Sequence, residues 1–419
     1  MTDNFGDKWW DSFLSKSEKM SKTQVFKNCI AKEETVLFRK YVMQIIKDLA
    51  RLRTTDYGYR IYVEGKQLAK SEMTDIYNNP PSDNETIEEW SKLMFGNKKF
   101  GMIINSGEKF NVKLSKNIAL KTKPLLDKTG FPREGINFTI FIGNYDKTPL
   151  GIHQDPIGEN VLHFHLGPGD KTMYTWDQKK YEALAGEMKY NNMDIEKFLP
   201  YATQYSFKEG DLYFMPHGEY HVGTQNDLSI AVTFWFYNHS KSRILNKLSE
   251  AIREQYFVSN SEPLYPDLNN LENTDGIEDT LKLIGFPEEY DSLSYKDILR
   301  EGYKDIRYSL ASNCGYKTSP FPIDYDIEKI EHEQEIIIEE PFKILYRENI
   351  DESKLLIYVR GVKFEFNNNV CITEFIDLIN IGKPLKVITL LDVLDSSWED
   401  DIGYYMIDLF YKHHAIKFK

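Results

Sequence analysis

Apolar positions change their period along this chain, and the changes divide it. Residues 1–30 are amphipathic without a clear period, with Trp9, Trp10 and Phe13 as a candidate anchor. Over residues 32–53, Val36, Leu37, Tyr41, Val42, Ile45, Ile46, Leu49 and Leu52 recur at steps of three and four. That spacing predicts an amphipathic helix. Residues 57–63 (YGYRIYV) alternate as a strand does. A short helix over 86–94, a strand over 100–104 and a mixed helical stretch over 112–126 follow, the first of these with Glu88 and Glu89 at its start.

From residue 137 the pattern is short β-branched and aromatic runs. They cover 137–142, 161–166, 173–176, 204–207, 211–215 and 229–236. Gly167, Gly169, Gly210, Gly218 and Gly223 punctuate them, as the turns of an all-β barrel require. Residues 178–198 are polar and predict one or two helices inserted between strands. Helical spacing returns over 240–257, 277–284 and 295–312, with a polar linker over 260–276 and a break at 318–322 (TSPFP). The last stretch predicts a strand over 355–366 with Gly361 as a bulge or turn, then three helices and a strand. The helices cover 374–381, 385–394 and 398–411, the strand 414–418; Thr373 caps the first helix and Gly382 stops it. The expected class is mixed α/β. The expected units are 1–130, a helical and mixed region packed on a barrel; 131–239, the barrel; 240–334, a helical segment; and 335–419, a small independent domain.

Composition narrows this. A chain of 419 residues, 41% hydrophobic and 14% aromatic, has enough apolar material for folded cores. A formal net charge of −13 argues against a general nucleic-acid surface and leaves room for a basic peptide partner. Cys29, Cys314 and Cys371 are too far apart for a disulfide framework or a zinc ribbon, so they read as free thiols. No run reaches the ~18–20 apolar residues of a membrane helix. The first residues, MTDNFGDKWW, lack the basic start and apolar run of a signal peptide. No membrane and a reducing, cytoplasmic setting are the expectation.

Two segments carry chemistry: GIHQDPIGENVLHFHLGPGDK at 151–171 and GDLYFMPHGEYHVGTQN at 210–226. His153 and Asp155, two positions apart, fall on one face of a strand. A third ligand from a distant strand, His221, would complete a two-histidine, one-carboxylate set. Such a set with open positions opposite suits a non-haem Fe(II) oxygenase. Blander readings compete: Asp155-Pro156-Ile157-Gly158 is itself a turn sequence, and His221 fits a core histidine. His217, His163 and His165 are rival ligands, the last two sharing a strand face.

Gly210, Pro216, Gly218 and His221 have the spacing of the second cupin motif, with Asn226 one position later than that motif places it. The first segment offers H-x-D instead of the ordinary cupin H-x-H, and so resembles the JmjC branch of the cupins. Lys171 lies eighteen residues after His153 in Gly167-Pro168-Gly169-Asp170-Lys171-Thr172-Met173-Tyr174, similar to the family's G-x-K-x-W/Y strand. The resemblance implies a double-stranded β-helix, the cupin/JmjC jelly-roll barrel, with Fe(II) and 2-oxoglutarate as cofactors. His153, Asp155 and His221 would be the ligands. Lys171 would meet the cosubstrate's distal carboxylate, a task that suits a cation at the end of a partly buried pocket. Asn160, Thr139, Tyr145 and Thr233 are candidate hydrogen-bonding helpers.

The order of parts also resembles the bacterial ribosomal-oxygenase type: N-terminal helices, barrel, helical segment, winged-helix-like domain. In that type the middle helices form a homodimer and the substrate is a protein residue. The implied activity is hydroxylation of a peptide or protein side chain. Winged helices often bind nucleic acid, but Glu365, Asp377, Asp392, Asp395, Glu399, Asp400 and Asp401 make this one acidic, which disfavours DNA. Two other readings remain: a non-catalytic cupin acting as a binding or scaffold protein, and a JmjC oxygenase working on tRNA or a small metabolite.

Overall fold

A computed structural model describes residues 4–325, 330–398 and 400–419. Glu399 and the first three residues lie outside it. Helices and antiparallel sheets alternate, as the class predicted. The larger sheet has eight strands in the order Gln24–Phe26, Leu212–Met215, Glu159–Pro168, Ser229–Tyr237, Ile136–Gly143, Phe100–Ile104, Arg60–Val63, Lys66–Gln67. The smaller has four: His153–Gln154, Tyr220–Thr224, Lys171–Trp176, Thr203–Phe207. Four of the eight strands in the larger sheet come from residues before 131. That sheet therefore runs across the boundary expected there.

Strand alternation sorts the two faces of the larger sheet. Phe138, Ile140, Leu162, Phe164, Val232 and Phe234 face outward. They pack with Phe38, Val42, Ile45 and Leu49 of helix Lys32–Leu52, and with Leu114, Ile118 and Leu125 of helix Val112–Thr129. The intervening residues Thr139, Phe141, His163, Thr233 and Trp235 line a cavity on the other face. The unassigned N-terminal residues become helix Asp7–Lys16 and the edge strand Gln24–Phe26, whose Phe13 and Phe26 rings pack 5.0 Å apart. The smaller sheet puts Trp176, Tyr220 and Val222 against Tyr181, Ile195 and Phe198 of the inserted helices Gln178–Ala185 and Ile195–Phe198.

Beyond the sheets, Ser240 and Ser294 cap helices Lys241–Tyr256 and Tyr295–Ser312, which meet through Ile252, Ile298 and Leu299. The helix expected over 277–284 shrinks to Glu278–Leu281 after a single 3-10 turn. The chain then returns to the larger sheet. Tyr316 bridges to Ile136 and its hydroxyl donates to the Ser115 carbonyl at 2.9 Å. The last segment has its own core of Ile336, Ile357, Phe375, Leu390, Ile407 and Phe410 under two three-stranded sheets. Gly361 is a turn and not a bulge: residues 355–366 fold as a hairpin, Lys354–Val359 with Val362–Asn367. Arg360 and Gly361 turn it with φ of 49° and 89°, a pair of positive angles that suits a two-residue turn. No helix among the described residues is long and apolar enough to cross a membrane.

Candidate metal centre

His153 and His221 sit directly opposite each other on neighbouring antiparallel strands. Their ring centroids are 4.3 Å apart. Asp155, one residue beyond the short strand His153–Gln154, brings Oδ2 to 3.6 Å from His221 Nε2. The three ligand atoms lie within 4.8 Å of one another. Each imidazole is aimed by the backbone two residues before it. Nδ1 of His153 lies 2.9 Å from the Gly151 carbonyl, and Nδ1 of His221 lies 3.2 Å from that of Glu219. Donation there leaves each Nε2 lone pair free, as in histidines that bind metals. Gln154 Nε2 donates to the Gly218 carbonyl at 2.7 Å and ties the two segments together.

Burial dominates the electrostatics. It pushes the His221 imidazole down to about 4 and, helped by the neighbouring His221, lowers His153 as well. Burial also raises the Asp155 carboxyl, with His153 pulling it partly back. Asp155 Oδ2 is buried without a hydrogen-bond partner. Two neutral nitrogens and an orphaned carboxylate oxygen are costly alone and are a fitting donor set for a divalent transition metal. Among the described residues no other cluster of this kind forms.

The cluster opens on a cavity of about 410 Å³ between the two sheets. Lys171 lies in the same cavity, only 7% exposed. Its ammonium donates to Tyr145 Oη at 3.2 Å and sits 5.7 Å from the Phe141 ring centroid. No carboxylate pairs with it among the described residues. Gly223, two residues after His221, leaves the lane for this side chain: a Cβ there would stand 3.1 Å from Lys171 Cε and 2.9 Å from Met173 Sδ.

The structure brings Thr139 and Thr233 to the cavity as adjacent partners in register. Thr139 donates to Asn105 Oδ1 at 3.1 Å, and Thr233 Oγ1 lies 2.9 Å from His163 Nδ1. Asn160 it places elsewhere. On strand Glu159–Pro168 the cavity receives Glu159, Val161 and His163, so Asn160 points away and accepts from the His217 backbone N–H at 2.9 Å. There it braces the turn before Gly218 and does not line the cavity. The rival histidines also stay apart from the cluster. His165 Nε2 is 2.8 Å from the Gly169 carbonyl, His163 is buried and held well below its usual pKa, first by burial, and His217 is exposed.

Sequence reasoning missed several cavity residues. Tyr213, Trp235 and Glu159 share the parity of His163 and Thr233 on their strands, and that signal could have found them. Glu159 is fixed from behind: His239 Nε2 lies 2.8 Å from it, and His239 Nδ1 contacts Glu134. Lys317 arrives on a loop and had no such signal; its ammonium sits 4.4 Å from the Tyr237 ring centroid.

No family model and no curated protein matches this chain. Among solved structures it is similar to a crystal structure of Escherichia coli ycfD, at 13% identity, TM-score 0.48 and 98% coverage of both chains. It is also similar to YcfD, described as a ribosomal oxygenase, in complex with cobalt and 2-oxoglutarate, at 12% identity and TM-score 0.48, again over 98% of both chains. SnoK, a non-heme alpha-ketoglutarate-dependent carbocyclase from nogalamycin biosynthesis, is similar over 59% of this chain and 90% of its own, at 12% identity and TM-score 0.33. At these identities and TM-scores the likenesses assign no residue a role, and the functional reading rests on the site's own geometry.

Proposed function

We propose that this chain is an Fe(II)- and 2-oxoglutarate-dependent hydroxylase acting on a peptide or protein side chain. One observation carries the reading: two imidazoles and an orphaned carboxylate oxygen converge on the same cavity that buries an unpaired lysine. His153, Asp155 and His221 would hold the iron. The chemistry it would supply there is the coupling of O2 to oxidative decarboxylation of 2-oxoglutarate, with one oxygen atom going to succinate as CO2 leaves and the other to a substrate C–H bond.

The chain's own residues supply the rest. Lys171, with Tyr145 beside it, takes the distal carboxylate through a charge-assisted hydrogen bond in a water-poor wall. Thr139 and Thr233 border the same space. Gly151 and Glu219 carbonyls keep both imidazoles in the tautomer that presents Nε2. The two facing sheets fit the double-stranded β-helix of the JmjC-type cupins, and the last segment fits a winged-helix-like unit over 335–419. The intervening 240–334 is a candidate dimer element. Three free cysteines, two of them buried, suit a reducing compartment.

The test is succinate formation from 2-oxoglutarate by the full chain with Fe(II) and ascorbate under air. Wild-type protein should form succinate, and Asp155→Ala and His221→Ala should fall to the metal-free background with unchanged circular dichroism. Wild-type-like turnover in either folded variant would defeat the ligand assignment. A wild-type protein that binds no 2-oxoglutarate would defeat the oxygenase reading and leave a binding or scaffold protein.

A further inference from the structure

The cavity holds more hydrogen-bond donors than its metal and cosubstrate can use. His163 Nε2, Tyr213 Oη, Trp235 Nε1 and Arg60 Nε are all buried without a partner. All four side chains line this one cavity. Thr233 Oγ1 lies 2.9 Å from His163 Nδ1, and a hydroxyl proton donated there would leave Nε2–H as the free donor. Buried donors left unpaired are destabilising, so the cavity is built for a ligand rich in acceptors. A 2-oxoglutarate stretched between the His153–Asp155–His221 cluster and Lys171 answers only part of that demand.

Arg60 is the part left over. It stands on strand Arg60–Val63, in register with Ile103, which is in register with Phe141 beneath the Lys171 ammonium. Two strand spacings, about 10 Å, therefore separate the Arg60 backbone from Phe141. Arg60 is half-buried; its Nε is buried without a hydrogen-bond partner, and no ion pair to its guanidinium forms among the described residues. The other cations of the cavity are accounted for. Lys171 faces the cosubstrate, and Lys317 is an exposed side chain whose ammonium rests over the Tyr237 ring. Glu159, the one acidic wall residue besides Asp155, is already engaged by His239. In a chain with a formal charge of −13, a cation without a counter-ion inside the cavity marks where a second anion belongs.

We propose that Arg60 binds a carboxylate of the substrate, so that the hydroxylated molecule is acidic at or near the reacting residue. The inference rests on the oxygenase reading, because it assigns the cluster and Lys171 to iron and cosubstrate. A planar carboxylate matches the guanidinium fork with two parallel hydrogen bonds. It can come from an acidic side chain or from a peptide C-terminus.

The experiment uses the full chain loaded with Zn(II) and 2-oxoglutarate, which does not turn over, and reads binding by ligand-observed NMR. Three probes separate the sources: acetyl-Ala-Asp-Ala-amide, acetyl-Ala-Asn-Ala-amide and acetyl-Ala-Asn-Ala with a free C-terminus. One charged probe should bind about ten-fold tighter than the neutral amide. Whichever does identifies the source. The preference should vanish in Arg60→Gln, return in part in Arg60→Lys, and weaken with added salt in wild type, while the Kd of 2-oxoglutarate stays at the wild-type value in both variants. Equal binding of all three probes to wild type, or no binding of any, overturns the proposal. So does a weakened 2-oxoglutarate Kd in folded Arg60→Gln, which would move Arg60 to the cosubstrate. Should Arg60→Gln not fold, the probe ranking and its salt dependence in wild type decide alone. Failure of wild type to bind 2-oxoglutarate at all is a separate result and strikes the oxygenase reading instead.

Discussion

Replacing Lys171 by Met should move two observables in opposite directions. The ammonium is buried, and among the described residues its only hydrogen-bond partner is the Tyr145 phenol and no carboxylate pairs with it. Met keeps most of the stem and removes the charge. Without ligand the variant should therefore be more stable than wild type, because an unpaired buried cation no longer has to be desolvated. With ligand the order reverses. A charge-assisted hydrogen bond contributes about 1.5–3 kcal/mol, so losing it should weaken 2-oxoglutarate binding about 10- to 150-fold. At a concentration one hundred times the wild-type Kd, the ligand stabilises wild type by about 2.7 kcal/mol; a hundred-fold weaker variant gains only about 0.4 kcal/mol. Thermal denaturation of Zn(II)-loaded protein, with and without 2-oxoglutarate at that fixed concentration, reads both quantities. Equal ligand-induced shifts in wild type and variant would remove Lys171 from the cosubstrate site. A variant less stable than wild type without ligand would show that the buried ammonium is a structural asset, contrary to the reasoning here.

Gly223→Ala should raise the Kd of 2-oxoglutarate by about ten-fold through crowding of Met173 and Lys171, with metal content unchanged by elemental analysis; loss of metal instead would place the damage at His221. Asp155→Ala should lose its metal on desalting while keeping its melting cooperativity, and retained stoichiometric metal would contradict the cluster. Glu108 is wholly buried, and burial pushes its carboxyl up to about 7 despite hydrogen bonds from Thr318 and the Phe138 N–H. A carboxyl raised above its unfolded value of 4.5 favours folding fully below about pH 4.5, and the benefit fades as pH rises through 7. Glu108→Gln should therefore gain on wild type between pH 5 and pH 8, by about 3 kcal/mol at most; a gain independent of pH would refute the titration.

The cluster was legible because its residues are close in sequence or framed by residues with few alternatives. His153 and Asp155 are neighbours on one short segment, and Pro216 and Gly218 shape the turn before His221. Strand parity would also have excluded Asn160: it alternates with Glu159, Val161 and His163, so it cannot share their face. What the chain alone concealed is long-range. Arg60–Val63 and Phe100–Ile104 read as separate strands, and nothing local says that they extend the sheet carrying Thr139 and Thr233. Lys317 reaches the cavity only because Tyr316 docks beside Ile136, a contact between residues 180 positions apart in a loop without periodicity. At Arg360–Gly361 the sequence left a bulge and a turn both open, and the pairing of the two flanking strands decides for the turn.

The run of the larger sheet past residue 131 governs how this protein can be dissected. A fragment starting there would strip Phe100–Ile104 from Ile136–Gly143 and leave a long, apolar, hydrogen-bond-hungry border in water, the kind that recruits other chains and precipitates. The same cut would discard Arg60 and the helices that shield the outer aromatic face. A minimal soluble version must therefore begin near the amino end, and linker insertions or tags belong at the surface loops beyond the helices rather than at the edge of the larger sheet.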